Sequence, residues 1–187
     1  MLNFQTTLKE EKVYSGLTVK EISPIMKLNI RGKNRDFLST IGKNINMILP
    51  IEANTSSSSD NYTSIWLSPD EWMVISNNKI DSENNNYEIE ELLFNKISKT
   101  KLGAVTDVSD QFVMLELKGE KIFDLLSTGC PFNFNDFKTK KGAVTQTLLL
   151  QIDVIIHLKE TNSVNLFVRR SFTEHLTSWI GDAASRL

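Results

Sequence analysis

The chain has 187 residues, 40% of them apolar, which leaves about 75 side chains for burial and fits one compact domain or two tightly fused halves. Its 21 basic and 23 acidic residues are spread evenly, 12 against 13 up to Lys101 and 9 against 10 after it, so it lacks the basic stripe that nucleic acids and anionic membranes select. The single cysteine, Cys130, excludes an internal disulfide, and one thiol with two histidines cannot build a Cys/His zinc site from this chain alone.

The opening MLNFQTTLKEEKVY lacks the apolar run of roughly 7 to 15 residues that a secretory signal needs. The most apolar stretch, 148–158, is interrupted by Gln151, Asp153 and His157, far short of the roughly 20 residues of a membrane span. The expectation is a cytoplasmic protein with no membrane and no nucleic acid among its partners.

In chain order, a strand is expected over 25–31, then a helix from Asn34 carrying Phe37, Leu38 and Ile41 and stopping at Gly42. The patches EANTSSSSDNYT at 52–63 and NNKIDSENNNYE at 77–88 have too few apolar side chains to order themselves and read as exposed loops. Between them, 65–76 reads as a hairpin around Ser68-Pro69-Asp70-Glu71, a type I turn with Ser and Pro at its first two corners. That turn sets Leu67 opposite Trp72, with Ile65 and Val74 on their face and Trp66 and Met73 on the other. Ile89, Leu92, Leu93 and Ile97 then have helical spacing up to Ser98.

Strands follow over 103–108 and 112–118, and Gly119 opens a helix that ends at Gly129 in a left-handed C-cap, with Pro131 preventing continuation. The short linkers between 142–150, 154–158 and 164–169 predict three antiparallel strands. Ser171 and Glu174 have capping-box spacing, so the last helix starts at Ser171, with Phe172, Leu176, Trp179, Ile180 and Ala183 as its apolar stripe. LNIRGKNRDFLSTIG at 28–42 laid beside LELKGEKIFDLLSTG at 115–129 gives strand, glycine, helix, glycine twice. The predicted fold is therefore α+β, antiparallel sheets with helices in two pseudo-repeated halves, 22–101 and 102–187, behind an N-terminal segment 1–21.

The chemistry inventory is sparse. Cys130 follows a helix C-terminus, the negative end of the dipole and the opposite of what activates a nucleophile, and reads as a packed thiol. His157 lies within an apolar strand and His175 on the polar side of the last helix, and neither has an acid at motif spacing. The eight glycines form neither a Rossmann nor a Walker-A pattern. Arg169-Arg170 before a helix N-terminus has the makings of an anion site, weighed against arginines that pair with nearby acids or a partner chain.

Six ordered segments together resemble the gamma subunit of heterotetrameric sarcosine oxidase: WLSPDEW at 66–72, Asp107-Val108-Ser109, LELKG at 115–119, Gly129-Cys130-Pro131, GAVTQT at 142–147 and VRRSF at 168–172. The likeness spans 22–183. It implies a non-catalytic structural subunit in a complex that oxidatively demethylates sarcosine to glycine, with alpha, beta and delta subunits as partners. It also implies that FAD, FMN, NAD, zinc and tetrahydrofolate belong to those partners, and that this chain has no catalytic, cofactor-binding or metal residues. The residues carried over as interface or motif candidates are Trp66, Pro69, Asp70, Glu71, Trp72, Cys130, Pro131, Gln146, Thr147, Arg169, Arg170, Ser171 and Phe172. Phe132 and Phe134 join the tryptophans as interface anchors if exposed, with core packing as the alternative.

The segment VTDVSDQFVMLELKGEKIFDLLSTG at 105–129 is similar to the folate-binding fold of the glycine-cleavage aminomethyltransferase, which makes a folate-binding protein the rival reading. Those transferases carry a glycine-rich, aspartate-bearing loop after the strand at 142–150. Here Leu150-Gln151-Ile152-Asp153-Val154 runs straight on, with Asp153 expected in a tight turn rather than facing a pocket.

Overall fold

The computed structural model describes residues 5–79 and 87–187. In chain order the elements are β1 (Lys12–Tyr14), β2 (Leu17–Glu21), β3 (Lys27–Arg31), α1 (Arg35–Ile45), β4 (Ser56–Ser58), β5 (Tyr62–Ser68), β6 (Glu71–Ser76) and α2 (Tyr87–Leu93). After a π-helical turn at Phe94–Ser98 come β7 (Ala104–Asp107), β8 (Phe112–Lys118), α3 (Ile122–Gly129), a 3₁₀ turn at Phe137–Thr139, β9 (Val144–Leu149), β10 (Ile152–Glu160), β11 (Ser163–Arg169) and α4 (Arg170–Ala184). The chain forms two compact units, one of residues 24–110 and one of residues 1–23 with 111–187. The class is α+β with antiparallel sheets, as the alternation of short strands and helices predicts. The boundaries differ from 22–101 and 102–187, because the N-terminal segment is an integral part of the second unit.

In that unit the six-stranded sheet runs β1-β2-β8-β11-β10-β9, every pair antiparallel. Alternate residues of its strands, among them Val19, Leu115, Leu166 and Ile156, face α3 and α4 in one core with Leu125, Leu176 and Ile180. Gly119 does not open α3. It turns the chain at φ 136°, and the helix starts three residues later. α3 stops at Gly129 without a left-handed cap. Cys130 is extended (φ −117°, ψ 124°), the Gly129 carbonyl accepts from the Leu150 amide at 3.0 Å, and the missing side chain admits the Trp179 ring.

α4 begins at Arg170, not Ser171, because the Arg170 amide is spent on the Gln111 carbonyl at 2.9 Å and fixes the start at the end of the sheet. The expected capping box is absent, since the N-cap is Arg169 and it makes no side-chain cap bond. The buried stripe is Thr173, Leu176, Ile180 and Ala184, with Trp179 and Ala183 half-buried at its edge and Phe172 44% exposed. Asp153 lies on β10 opposite Leu148, because the β9–β10 turn consists only of Leu150 and Gln151, both at positive φ as in the tightest hairpins.

The 24–110 unit has a five-stranded antiparallel sheet in the order β4-β5-β6-β3-β7, with Phe37, Ile41 and Ile45 of α1 and Leu93 and Ile97 packed on Leu28, Ile30, Trp72 and Val74. Asn34 caps α1, its Oδ1 accepting from the Phe37 amide at 2.7 Å. The helix runs past Gly42 and ends at Asn46, which adopts the left-handed conformation (φ 50°, ψ 47°) while the Met47 amide closes on the Gly42 carbonyl. The serine-rich patch is ordered. Ser56, Ser57 and Ser58 pair with Ile65, Ser64 and Thr63 as an edge strand, since backbone pairing needs no apolar side chain on an exposed edge. Of the second patch, 80–86 lie outside the described residues.

The β5–β6 hairpin departs from the expected register. Ser68 pairs with Glu71 across Pro69-Asp70, but Leu67 is then an extra residue, and Trp66 pairs with Trp72 and Ile65 with Met73. This β-bulge flips the alternation, so that Trp66 and Trp72 share the core face instead of lying on opposite ones.

Candidate functional site

Most of the motif segments contribute contacts that hold the fold, while most of VRRSF and part of GAVTQT lie at the surface. In the hairpin, Asp70 accepts from the Ser68 hydroxyl at 3.0 Å and lies 3.8 Å from Arg31 and 3.6 Å from Lys33. The Ser68 bond first, and then the two cations, hold the Asp70 carboxyl below the usual range. Glu71 accepts from the Asn29 amide at 2.7 Å and faces Arg31, its cross-strand partner, at 3.8 Å. Trp72 is 3% exposed, donates Nε1–H to the Pro50 carbonyl at 2.7 Å and packs on the Phe37 ring at 6.0 Å. Trp66 is half-buried and Pro69 exposed at the turn. Asp107-Val108-Ser109 ties β7 to β3. The Ser109 hydroxyl accepts from the Lys27 amide at 2.9 Å, and Asp107 accepts from both the amide and the hydroxyl of Ser109.

Within LELKG, Glu116 is 8% exposed and bridges Lys118 at 2.8 Å and Lys159 at 3.2 Å. Burial alone would raise its pKa, but the two lysine hydrogen bonds outweigh this and lower it. His157, 5% exposed, stands in the same cross-strand row through Asn165, and burial, with a smaller push from Lys159, lowers its pKa to about 4. The sequence singles out His157 and, within LELKG, Glu116, but not their association, since only the register brings β8, β11 and β10 side chains together.

Cys130 is buried in the helix-side core with its Sγ 3.5 Å from the Thr147 hydroxyl, and Pro131 beside it is exposed. Phe132, Phe134 and Phe137 form an aromatic cluster with Phe123, which places the first two in packing. Arg170 reaches the Gln5 carbonyl at 3.5 Å, and Ser171 and Phe172 are exposed on the first turn of α4.

Three predicted residues do meet. Gln146, Thr147 and Arg169 line a shallow depression of about 420 Å³ with Phe112, Leu148 and Asp153, so that Asp153, expected to face no pocket, borders a concavity because it lies on β10 and not in the turn. The Arg169 guanidinium lies over the Phe112 ring at 6.0 Å from its centroid. A cation, a carboxylate and an amide on an apolar floor suit polar docking, and the thiol of Cys130 belongs to the helix-side core instead. Among the described residues no three His, Cys, Asp or Glu side chains cluster as metal ligands, and no helix is long and apolar enough to cross a membrane.

A second concavity, of about 620 Å³, lies along α1 in the other unit and was not signalled by any motif. Its wall carries Ile48 and Ile51, and the apolar run Met47-Ile48-Leu49-Pro50-Ile51 was the available hint.

No curated protein matches the sequence. The fold is that of a chain from the heterotetrameric sarcosine oxidase from Corynebacterium sp. U-96 in complex with pyrrole 2-carboxylate, with a TM-score of 0.80 at 22% identity over 91% of this chain and 84% of that one. The family model for the sarcosine oxidase gamma subunit matches residues 31–186, most of the sequence and all six motif segments. The chain therefore belongs to the sarcosine oxidase gamma subunit family.

Proposed function

We propose that this chain is a non-catalytic, structural subunit of a heterotetrameric sarcosine oxidase, which converts sarcosine to glycine by oxidative demethylation in one-carbon metabolism. The observation that carries this reading is the family match over residues 31–186. The geometry supports it, because the motif side chains serve the fold: Asp70 and Glu71 lock a hairpin, Ser109 joins two strands and Cys130 fills a core. The alpha, beta and delta subunits are the partners, and FAD, FMN, NAD, zinc and tetrahydrofolate are assigned to them. Co-expression with the larger subunits tests the reading. The chain is expected to co-purify in fixed ratio, and an assembled, fully active oxidase that leaves it behind as a free monomer overturns the assignment.

The folate-binding alternative fares worse on one feature. The two-residue Leu150-Gln151 turn leaves no glycine-rich loop between β9 and β10, and Asp153 lies on the strand beyond. Titration calorimetry of the isolated chain with tetrahydrofolate is expected to show no micromolar binding. Cys130→Ser supplies a second check, since the Thr147 hydroxyl is at hand to bond the new one. Turnover per flavin-loaded complex is expected to stay within about twofold, whereas a hundredfold loss, about 2.7 kcal/mol of transition-state stabilisation, would make the thiol catalytic.

A further inference from the structure

We propose that the groove along α1 seats a segment of a neighbouring subunit that presents apolar side chains bordered by two carboxylates. The inference rests on the reading of this chain as an accessory subunit. The segment after α1 alternates sharply: Met47 and Leu49 are 8% and 3% exposed, while Ile48 and Ile51 are 85% and 82% exposed. These two side chains have no route inward. The Ile48 carbonyl accepts from the Ser57 hydroxyl at 2.7 Å, the Pro50 carbonyl accepts from the buried Trp72 indole at 2.7 Å, and the Met47 amide is held by Gly42. Two branched aliphatics held in water on a pinned backbone lose little freedom when a partner covers them, which is the preorganisation a binding surface needs.

The same groove identifies the partner's chemistry. Arg35 and Lys43 stand eight residues apart on α1 and both line the groove, and among the described residues neither forms an ion pair or a side-chain hydrogen bond. No acidic side chain lines the concavity. At 1.5 Å per residue the two cations are about 12 Å apart along the axis, a span matched by carboxylates about two helical turns, or four strand residues, apart. A second copy of this chain fits less well, since an isologous contact would set the two groove cations against a lining that itself carries no acid.

The test is reconstitution of the complete oxidase with Ile48→Asp/Ile51→Asp, with Arg35→Glu/Lys43→Glu, and with Val13→Asp as an exposed control in the other unit. Melting of each isolated chain within about 3 °C of wild type certifies the fold, and Ile48→Ala/Ile51→Ala replaces the aspartate pair if that pair unfolds. Incorporation is expected to weaken at least about 50-fold for the aspartate pair, or about 10-fold for the alanine pair. The charge reversal should weaken it about 10-fold and flatten its salt dependence, and Val13→Asp should match wild type. Groove variants that incorporate like wild type overturn the inference and leave the accessory-subunit reading intact, whereas a wild-type chain that fails to incorporate overturns both. A wild-type homodimer of the isolated chain, dissociated by the same substitutions, assigns the groove to a second copy and overturns the proposed occupant.

Discussion

His157 shows how far a single residue's chemistry is set by its neighbours. Its imidazole is buried and its pKa lowered to about 4, first by burial and then by Lys159 two residues along the same strand face. The unfolded chain takes up a proton near the ordinary value of 6.5 that the native state refuses, so stability rises with pH across the window from about 4 to 6.5. Its contribution is complete above 6.5 and lost as the pH falls, at a cost of about 2 kcal/mol by pH 5. Thermal melts at pH 7.5 and 5.0 should show a clear drop for wild type that His157→Gln removes, and an equal drop in both proteins would disprove the assignment. Glu116 is distinguishable from it, since a lowered carboxyl contributes above its ordinary 4.5 and loses that contribution only in more acid solution. The sequence reads His157 as an ordinary packing or surface residue, and its 5% exposure makes it a packing one. The lysine that shifts it and the carboxylate in its row were not legible, because cross-strand neighbours are separated by 41 residues or more from Glu116 and are fixed only by register.

Elements were legible where the local pattern also decides the packing, and illegible where a distant contact does. The strand at Phe112–Lys118 is read at its true limits because Val113, Leu115 and Leu117 alternate with their neighbours and all three belong to one core. β4 was missed, being three serines whose pairing rests on backbone register and a Ser58–Thr63 hydroxyl contact at 3.1 Å, with no apolar alternation to announce it. The end of α3 at Gly129 is read correctly, but its left-handed cap and the start of α4 were misassigned for a related reason: Leu150 and Gln111, neither adjacent in sequence, supply the hydrogen bonds that local caps were expected to make. Glycine separates two such cases experimentally. Gly119 sits at φ 136° and a Cβ there would collide with the Gly16 carbonyl oxygen, a backbone atom that cannot yield, whereas a Cβ on Gly129 would stand 3.0 Å from the Trp179 ring, which can tilt. Gly119→Ala is expected to cost about 3 kcal/mol or more and Gly129→Ala about 1 kcal/mol in urea unfolding. Equal losses would show that φ and backbone crowding are not what select glycine at 119.

At the scale of the molecule, the repeat of strand, glycine and helix is real in each unit, as β3 with α1 and as β8 with α3, and it was readable because the strand-to-helix glycines, Gly32 and Gly119, punctuate both copies. What the repeat hides is that the second unit is discontinuous. KVY and LTVKE are too short to announce strands, yet β2 pairs with β8 over Thr18 to Glu21 and places Leu17 and Val19 in the core at 2% and 1% exposure. Removing residues 1–23 therefore uncovers the β8 edge and takes two fully packed aliphatics from the core, about 1.5 to 3 kcal/mol each, against a total stability of 5 to 15 kcal/mol for an ordinary domain. A fragment of residues 24–110 keeps its whole core and is expected to unfold cooperatively by circular dichroism. A fragment of residues 111–187 is expected to lack a cooperative transition until residues 1–23 are joined to it through a flexible linker. Equal behaviour of 111–187 with and without that segment would place β2 outside the folding unit and return the N-terminal residues to the status of an appendage.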